Sequence, residues 1–122
     1  MQIKQGDHEV ICGILPRDAE FQTVGAKETP LCKFSVKYDE AQNGAVKEAK
    51  WRNCIAWFDK ANYCSLFKKG DTVFVCGKVE SKEYTKRDGE KATSIENIVE
   101  FATKMPSGFT VVSNDYGGEL PD

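Results

Sequence analysis

The stretch KWRNCIAWF, residues 50–58, decides the reading of this chain. It has strand character, and side chains along a strand alternate between two faces. Trp51, Asn53, Ile55 and Trp57 therefore share one face, and Arg52, Cys54, Ala56 and Phe58 share the other. The two indoles stand about 20 Å apart at roughly 3.3 Å per residue. Flat rings spaced in this way can serve as platforms for unpaired bases, at about 1–3 kcal/mol per base. Tryptophan is also highly buried on average. Parity alone leaves open which face looks outward, and the flanking sequence has to decide between a stacking surface and a core.

Upstream, LCKFSVKY (residues 31–38) alternates cleanly. Cys32, Phe34, Val36 and Tyr38 form an apolar face, which leaves Lys33 and Lys37 together on the other. Residues 10–15 read as an earlier strand ended by Pro16, and residues 17–30 as mixed loop with Gly25 and Pro30. Residues 39–49 are polar, and their Asn43-Gly44 signals the turn of a long hairpin into the tryptophan strand. Downstream, DKANYCSLFKK (residues 59–69) predicts a helix. Asp59 is its expected N-cap and Gly70 its stop, with Lys68 and Lys69 at the negative end of the dipole. Tyr63, Leu66 and Phe67 fall on one stripe expected to pack on the core. Residues 72–84 read as a long strand with Val73, Val75, Gly77 and Val79 on one face. Asp88-Gly89 is a hairpin turn, and a last strand over residues 92–101 sets Ile95, Asn97, Val99 and Phe101 on one face.

Five strands with one helix between the third and fourth is the plan of the OB-fold, an all-β Greek-key barrel that binds oligomers across its second and third strands. That face would hold Lys33 and Lys37 beside Trp51 and Trp57. Ammonium groups beside exposed rings suit a strand of phosphates and bases, so the shared face favours outward tryptophans. The expected organisation is one barrel over residues 1–105 and a tail over residues 106–122. The tail is rich in Gly, Ser and Asn, has little to bury, and is expected to stay flexible.

The bulk numbers narrow the function. Net charge is −2, but its distribution is uneven. All 17 basic residues lie at or before Lys104, whereas Asp115, Glu119 and Asp122 follow Met105, giving a body of +1 and a tail of −3. No apolar run approaches the ~20 residues of a membrane span, and residues 1–20 show no signal-peptide core, so the expected setting is the cytoplasm. The five cysteines (Cys12, Cys32, Cys54, Cys64, Cys76) show no Cys-x-x-Cys pair. The expectation is buried thiols in a reducing compartment, no zinc and no other cofactor. No nucleophile–base pair and no phosphate-cradling glycine loop is present, and a turn accounts for Asp18 and Glu20, so an enzyme is not expected.

Three stretches resemble the bacterial and phage single-stranded DNA-binding protein family. CGILPRDAEF (residues 12–21) resembles its opening strand and turn, with Gly13, Leu15, Asp18 and Glu20 in place and Ala19 where proline is usual. WRNCIAWFDKANYCSLFKKGDTVFVCGKV (residues 51–79) resembles its third strand, helix and fourth strand. KEYTKRDGEKATSIENIVEF (residues 82–101) resembles its aromatic hairpin. The resemblance spans about residues 8–105. It implies base stacking on Trp51, Trp57 and Tyr84, with Lys60, Lys69 and Lys82 at the family's basic positions and Asn53 on the shared face. Tyr38 lies near a further stacking position but on core parity. It also implies sequence-independent binding of single-stranded DNA in replication, recombination and repair, by a tetramer or dimer. The alternative is an OB-fold interaction module for replication restart or recombination loading, with weak DNA binding. Arg52, opposite the rings in parity, is expected either to be solvated or to sit at a subunit contact. The tail's Glu119, Leu120 and Pro121 match the family's segment that recruits replication and recombination proteins, without its terminal phenylalanine. The altered tip leans toward a phage or mobile-element member.

Overall fold

A computed structural model describes residues 2–42 and 46–106, and of residues 39–42 and 46–48 the backbone alone. Asn43-Gly44 and the tail, with Glu119, Leu120 and Pro121, lie outside the described residues. The elements run β1 (Gln2–Gln5), β2 (His8–Ile14), β3 (Glu20–Val24), β4 (Thr29–Gln42), β5 (Val46–Trp57), α1 (Asp59–Cys64), β6 (Thr72–Thr85) and β7 (Lys91–Lys104). The sheet order is β1-β2-β6-β7-β5-β4-β3, and a pairing of β2 with β4 joins it into a ring. Pairings are antiparallel except β5 with β7. Two strands beyond the expected five appear: β1 beside β2, and β3 within the stretch expected to be loop. Four of the five β3 residues are exposed, so no burial alternation marks it in sequence.

The core follows the alternation. Cys32, Phe34, Val36 and Tyr38 of β4 are buried, as are Cys54 and Ala56 of β5 and Val73 and Val75 of β6. Ile11, Leu15 and Phe67 complete the centre. Phe67 meets Phe34 edge-to-face, with centroids 5.4 Å apart at 88°, an arrangement that aromatic quadrupoles favour. The ring closes at one bridge, Ile14 with Lys37. Gly13 makes the approach possible, because a Cβ there would overlap the Lys37 carbonyl oxygen.

The helix is shorter than expected and ends at Cys64. Asp59 does not cap it. Phe58 occupies the N-cap, with no side-chain hydrogen bond, and no basic residue falls in the last turn. After Cys64 the chain tightens into turns, with the Leu66 N–H donating to the Tyr63 carbonyl and the Phe67 N–H to the Cys64 carbonyl, and beyond them side-chain and distant acceptors take over. The Lys68 N–H donates to Asp71 Oδ2, the Lys69 N–H to Asp18 Oδ1 and the Gly70 N–H to the Leu15 carbonyl. The expected stripe therefore breaks up: Phe67 is buried, but Leu66 is 67% exposed and Tyr63 stands at the surface.

In β7, Asn97 and Val99 are buried but Phe101 is not. Cys76 pairs with Phe101 and Gly77 with Val99, so Glu100 is an extra residue that flips the parity beyond it. Ile95 is exposed because β6 and β7 run past the ring as an arm, where every residue of β6 from Glu80 onward is exposed. The Asp88-Gly89 turn closes that arm, with Gly89 at φ 89° and the Lys86 N–H donated to the Glu90 carbonyl.

Candidate nucleic-acid interface

β4 and β5 pair through twelve residues each, and directly opposite residues share a face. Lys37 lies opposite Trp51, Ser35 opposite Asn53, Lys33 opposite Ile55 and Leu31 opposite Trp57. The inner face of both strands fills the core, so these side chains, apart from the buried Leu31, turn outward. Trp51 is 56% exposed and Trp57 36%. The Lys37 ammonium sits 5.8 Å from the Trp51 ring centroid, within cation–π range. Ser35 Oγ donates to Asn53 Oδ1 at 2.9 Å, fixing the carboxamide between the two indoles. Leu31, the residue opposite Trp57, is itself buried.

Two grooves adjoin this face. One, of about 390 Å³, lies at Trp51 and is lined by Gln2, Lys4, Lys50 and Arg52 among others. The other, of about 320 Å³, runs over Lys33, Ser35, Asn53 and Ile55 toward Arg17 and carries Glu20 and Glu96 on its rim. Arg17 thus adjoins Lys33 on this surface, whereas Lys4 and Lys50 line the first groove with Arg52, on the opposite parity to Trp51. Arg17 reaches this surface from the connection between β2 and β3, a placement that sequence spacing does not reveal.

The remaining expected residues lie on other elements. Tyr84 is 46% exposed on the β6–β7 arm, with Lys82 two residues before it and also exposed. Lys60 is exposed on α1, and Lys69 follows the helix with its backbone held by Asp18. Tyr38 is buried, as parity requires. Phe58, assigned by alternation to the core, is 64% exposed, because β5 ends in a backbone turned to φ 59°.

Arg52 corrects the expectation of a solvated residue. Its Nη2 donates to Glu9 Oε1 at 3.0 Å, and its Nε lies 2.9 Å from Glu9 Oε2. The Glu9 side chain is fully buried and also accepts from Gln2 Nε2 at 3.0 Å and Asn97 Nδ2 at 2.9 Å. This cluster ties β1, β2, β5 and β7 together beneath the tryptophan face.

None of the five cysteines is disulfide-bonded. Burial pushes Cys32 up to about 11 and Cys64 up to about 12, so both stay thiols at neutral pH and are poor nucleophiles. Among the described residues, no group of three or more His, Cys, Asp or Glu is arranged to hold a metal ion. No described helix is long and apolar enough to cross a membrane.

Residues 7–105 match the sequence model of the Single-strand binding protein family. A single-stranded DNA-binding protein of Neisseria meningitidis serogroup B is 30% identical over 117 residues, covering 92% of this chain and 64% of that protein. One of Thermus thermophilus is 27% identical over 100 residues, covering 80% of this chain and 38% of that protein. The single-stranded DNA-binding protein 1 of Streptococcus agalactiae serotype III is 26% identical over 93 residues, covering 75% and 57%. The chain thus spans less than two thirds of the length of these relatives.

Proposed function

The chain belongs to the single-strand binding protein family, and from that premise we propose that it coats single-stranded DNA without sequence preference, in replication, recombination or repair in the cytoplasm. The observation that carries this reading is the outward pair Trp51 and Trp57 on one sheet face with Lys33 and Lys37. Every base has a flat side, so stacking tolerates any sequence. A duplex hides those sides and is a poor ligand. Lys33, Lys37, Lys60, Lys69 and Lys82 neutralise phosphates and release counterions. Asn53, held by Ser35, lies between the two stacking sites, and Tyr84 stacks a base on the arm. No step in this role requires catalysis. The ring of β2, β4, β5, β6 and β7 is read as the five-stranded Greek-key OB barrel, with α1 between its third and fourth strands. The body of the chain, residues 1–105, is the DNA-binding domain, and the acidic residues beyond it form a tail for protein partners.

The protein acts as a dimer or tetramer. Ile3, Val10, Cys76 and Phe101 lie in one register row across β1, β2, β6 and β7. Ile3 is 58% and Phe101 57% exposed, which leaves an apolar sheet face that a second copy would cover. Assembly multiplies the affinity of a small barrel through effective concentration.

The test is a tryptophan-fluorescence titration with oligo-dT at several salt concentrations, with duplex DNA as competitor. Quenching with submicromolar affinity, weakening as salt rises and untouched by duplex, is the expected result. Binding at micromolar strength or weaker in moderate salt would favour the interaction module instead.

A further inference from the structure

Phe58 is an aromatic residue that the fold does not need. It follows Trp57 directly, and 64% of it is in contact with solvent. Its backbone sits at φ 59° and ψ −130°, a conformation that a Cβ disfavours and glycine adopts freely. The conformation is held from both sides by main-chain bonds that any residue would make. The Phe58 N–H donates to the Pro30 carbonyl at 3.1 Å, and its own carbonyl accepts from the Ala61 N–H at 3.0 Å and the Asn62 N–H at 3.3 Å. A glycine would therefore fit this turn without strain, and a ring left in water adds little to the core. A strained, solvent-facing ring beside a surface of exposed rings points to a ligand.

We propose that Phe58 is a further base-stacking residue, extending the path of the nucleic acid from Trp57 around the end of β5. The inference rests on the DNA-binding reading above. The same backbone turn that takes Phe58 off the core face also opens α1, where the exposed Lys60 stands two residues on and can neutralise the adjoining phosphate.

The experiment compares wild type, Phe58→Gly and Phe58→Trp. Each is measured for melting temperature, for oligo-dT affinity and for photo-cross-linking to oligonucleotides carrying 5-iododeoxyuridine. Phe58→Gly should melt at or above the wild-type temperature, because strain is relieved, yet bind about tenfold more weakly, as expected for one lost stacked base. Phe58→Trp should bind within about twofold of wild type, since the indole offers an equal or larger platform. Cross-linked peptides should carry an adduct on Phe58. If Phe58→Gly binds as wild type does and adducts are confined to Trp51 and Trp57, the proposal is wrong. It is equally wrong if Phe58→Gly changes the light-scattering mass and leaves affinity alone, because the ring then meets another protein chain. Failure of wild type itself to bind oligo-dT would strike the underlying reading, a result separable from either of these.

Discussion

The two faces of β5 serve opposite ends. On the outward face, Trp51 and Trp57 stand substantially in water. On the inward face, Arg52 is tied into a buried carboxylate by two contacts. The outward rings could be removed without disturbing the ring of strands, whereas the inward guanidinium neutralises a charge that has no other cation within the cluster described. One strand thus carries solvent-facing rings, the proposed ligand surface, and, a single residue along, a fixture built for the fold. Substitutions on the two faces should separate binding from stability.

The largest effect should come from the inward side. Arg52→Ala leaves Glu9 buried and unpaired, and should cost about 3–5 kcal/mol in urea unfolding. A loss below about 1 kcal/mol would mean that Gln2 and Asn97 suffice for the carboxylate, and the contrast would weaken. The apolar double replacement Glu9→Leu with Arg52→Met should regain most of the loss, because it removes both charges together. On the outward side, Trp51→Ala and Trp57→Ala should each weaken oligo-dT binding by about 1–3 kcal/mol, with stability changed by no more than about 0.5 kcal/mol. A double tryptophan variant that binds as wild type does would remove the functional half of the comparison.

The smallest effect sharpens the inward half further. Cys64, pushed up to about 12, and Cys32, pushed up to about 11, are both raised by burial from an ordinary value of 9.0. Below the ordinary value both states hold the proton, and the thiols contribute no pH dependence. Above it, the unfolded chain loses protons that the folded chain retains, so stability falls with each step toward the folded values. The melting temperature should therefore decline through that alkaline window, and Cys64→Val should flatten the decline.

The tryptophan face was legible because alternation over residues 31–38 and 51–57 commits Cys32, Phe34, Val36, Cys54 and Ala56 to the interior. Parity failed wherever geometry changed within an element. Glu100, the extra residue opposite the Cys76–Gly77 step, turns Phe101 out of the core, and nothing in the local composition announces it. Phe58 escapes the count because a single positive φ ends the strand. The helix is shorter than the sequence suggests: Lys68 and Lys69 resemble a helix terminus, but the Lys68 N–H is taken by the side chain of Asp71 three residues on and the Lys69 N–H by Asp18, 51 residues away. The Glu9–Arg52 pair spans 43 residues of sequence, and no spacing rule reaches that far.

Lys37 has two attachments of different stiffness. Its main chain forms the single bridge that seals the ring, pressed against Gly13, while its ammonium rests over the Trp51 ring. The base of this side chain is therefore anchored in the seam, and only the four-carbon stem is free to swing. Under the proposed role, an incoming nucleotide would take over the face of the indole and push the charge aside, toward the phosphate that arrives with it. The residue would then serve as a tethered counterion, vacating a seat for the base while staying close enough to balance its charge.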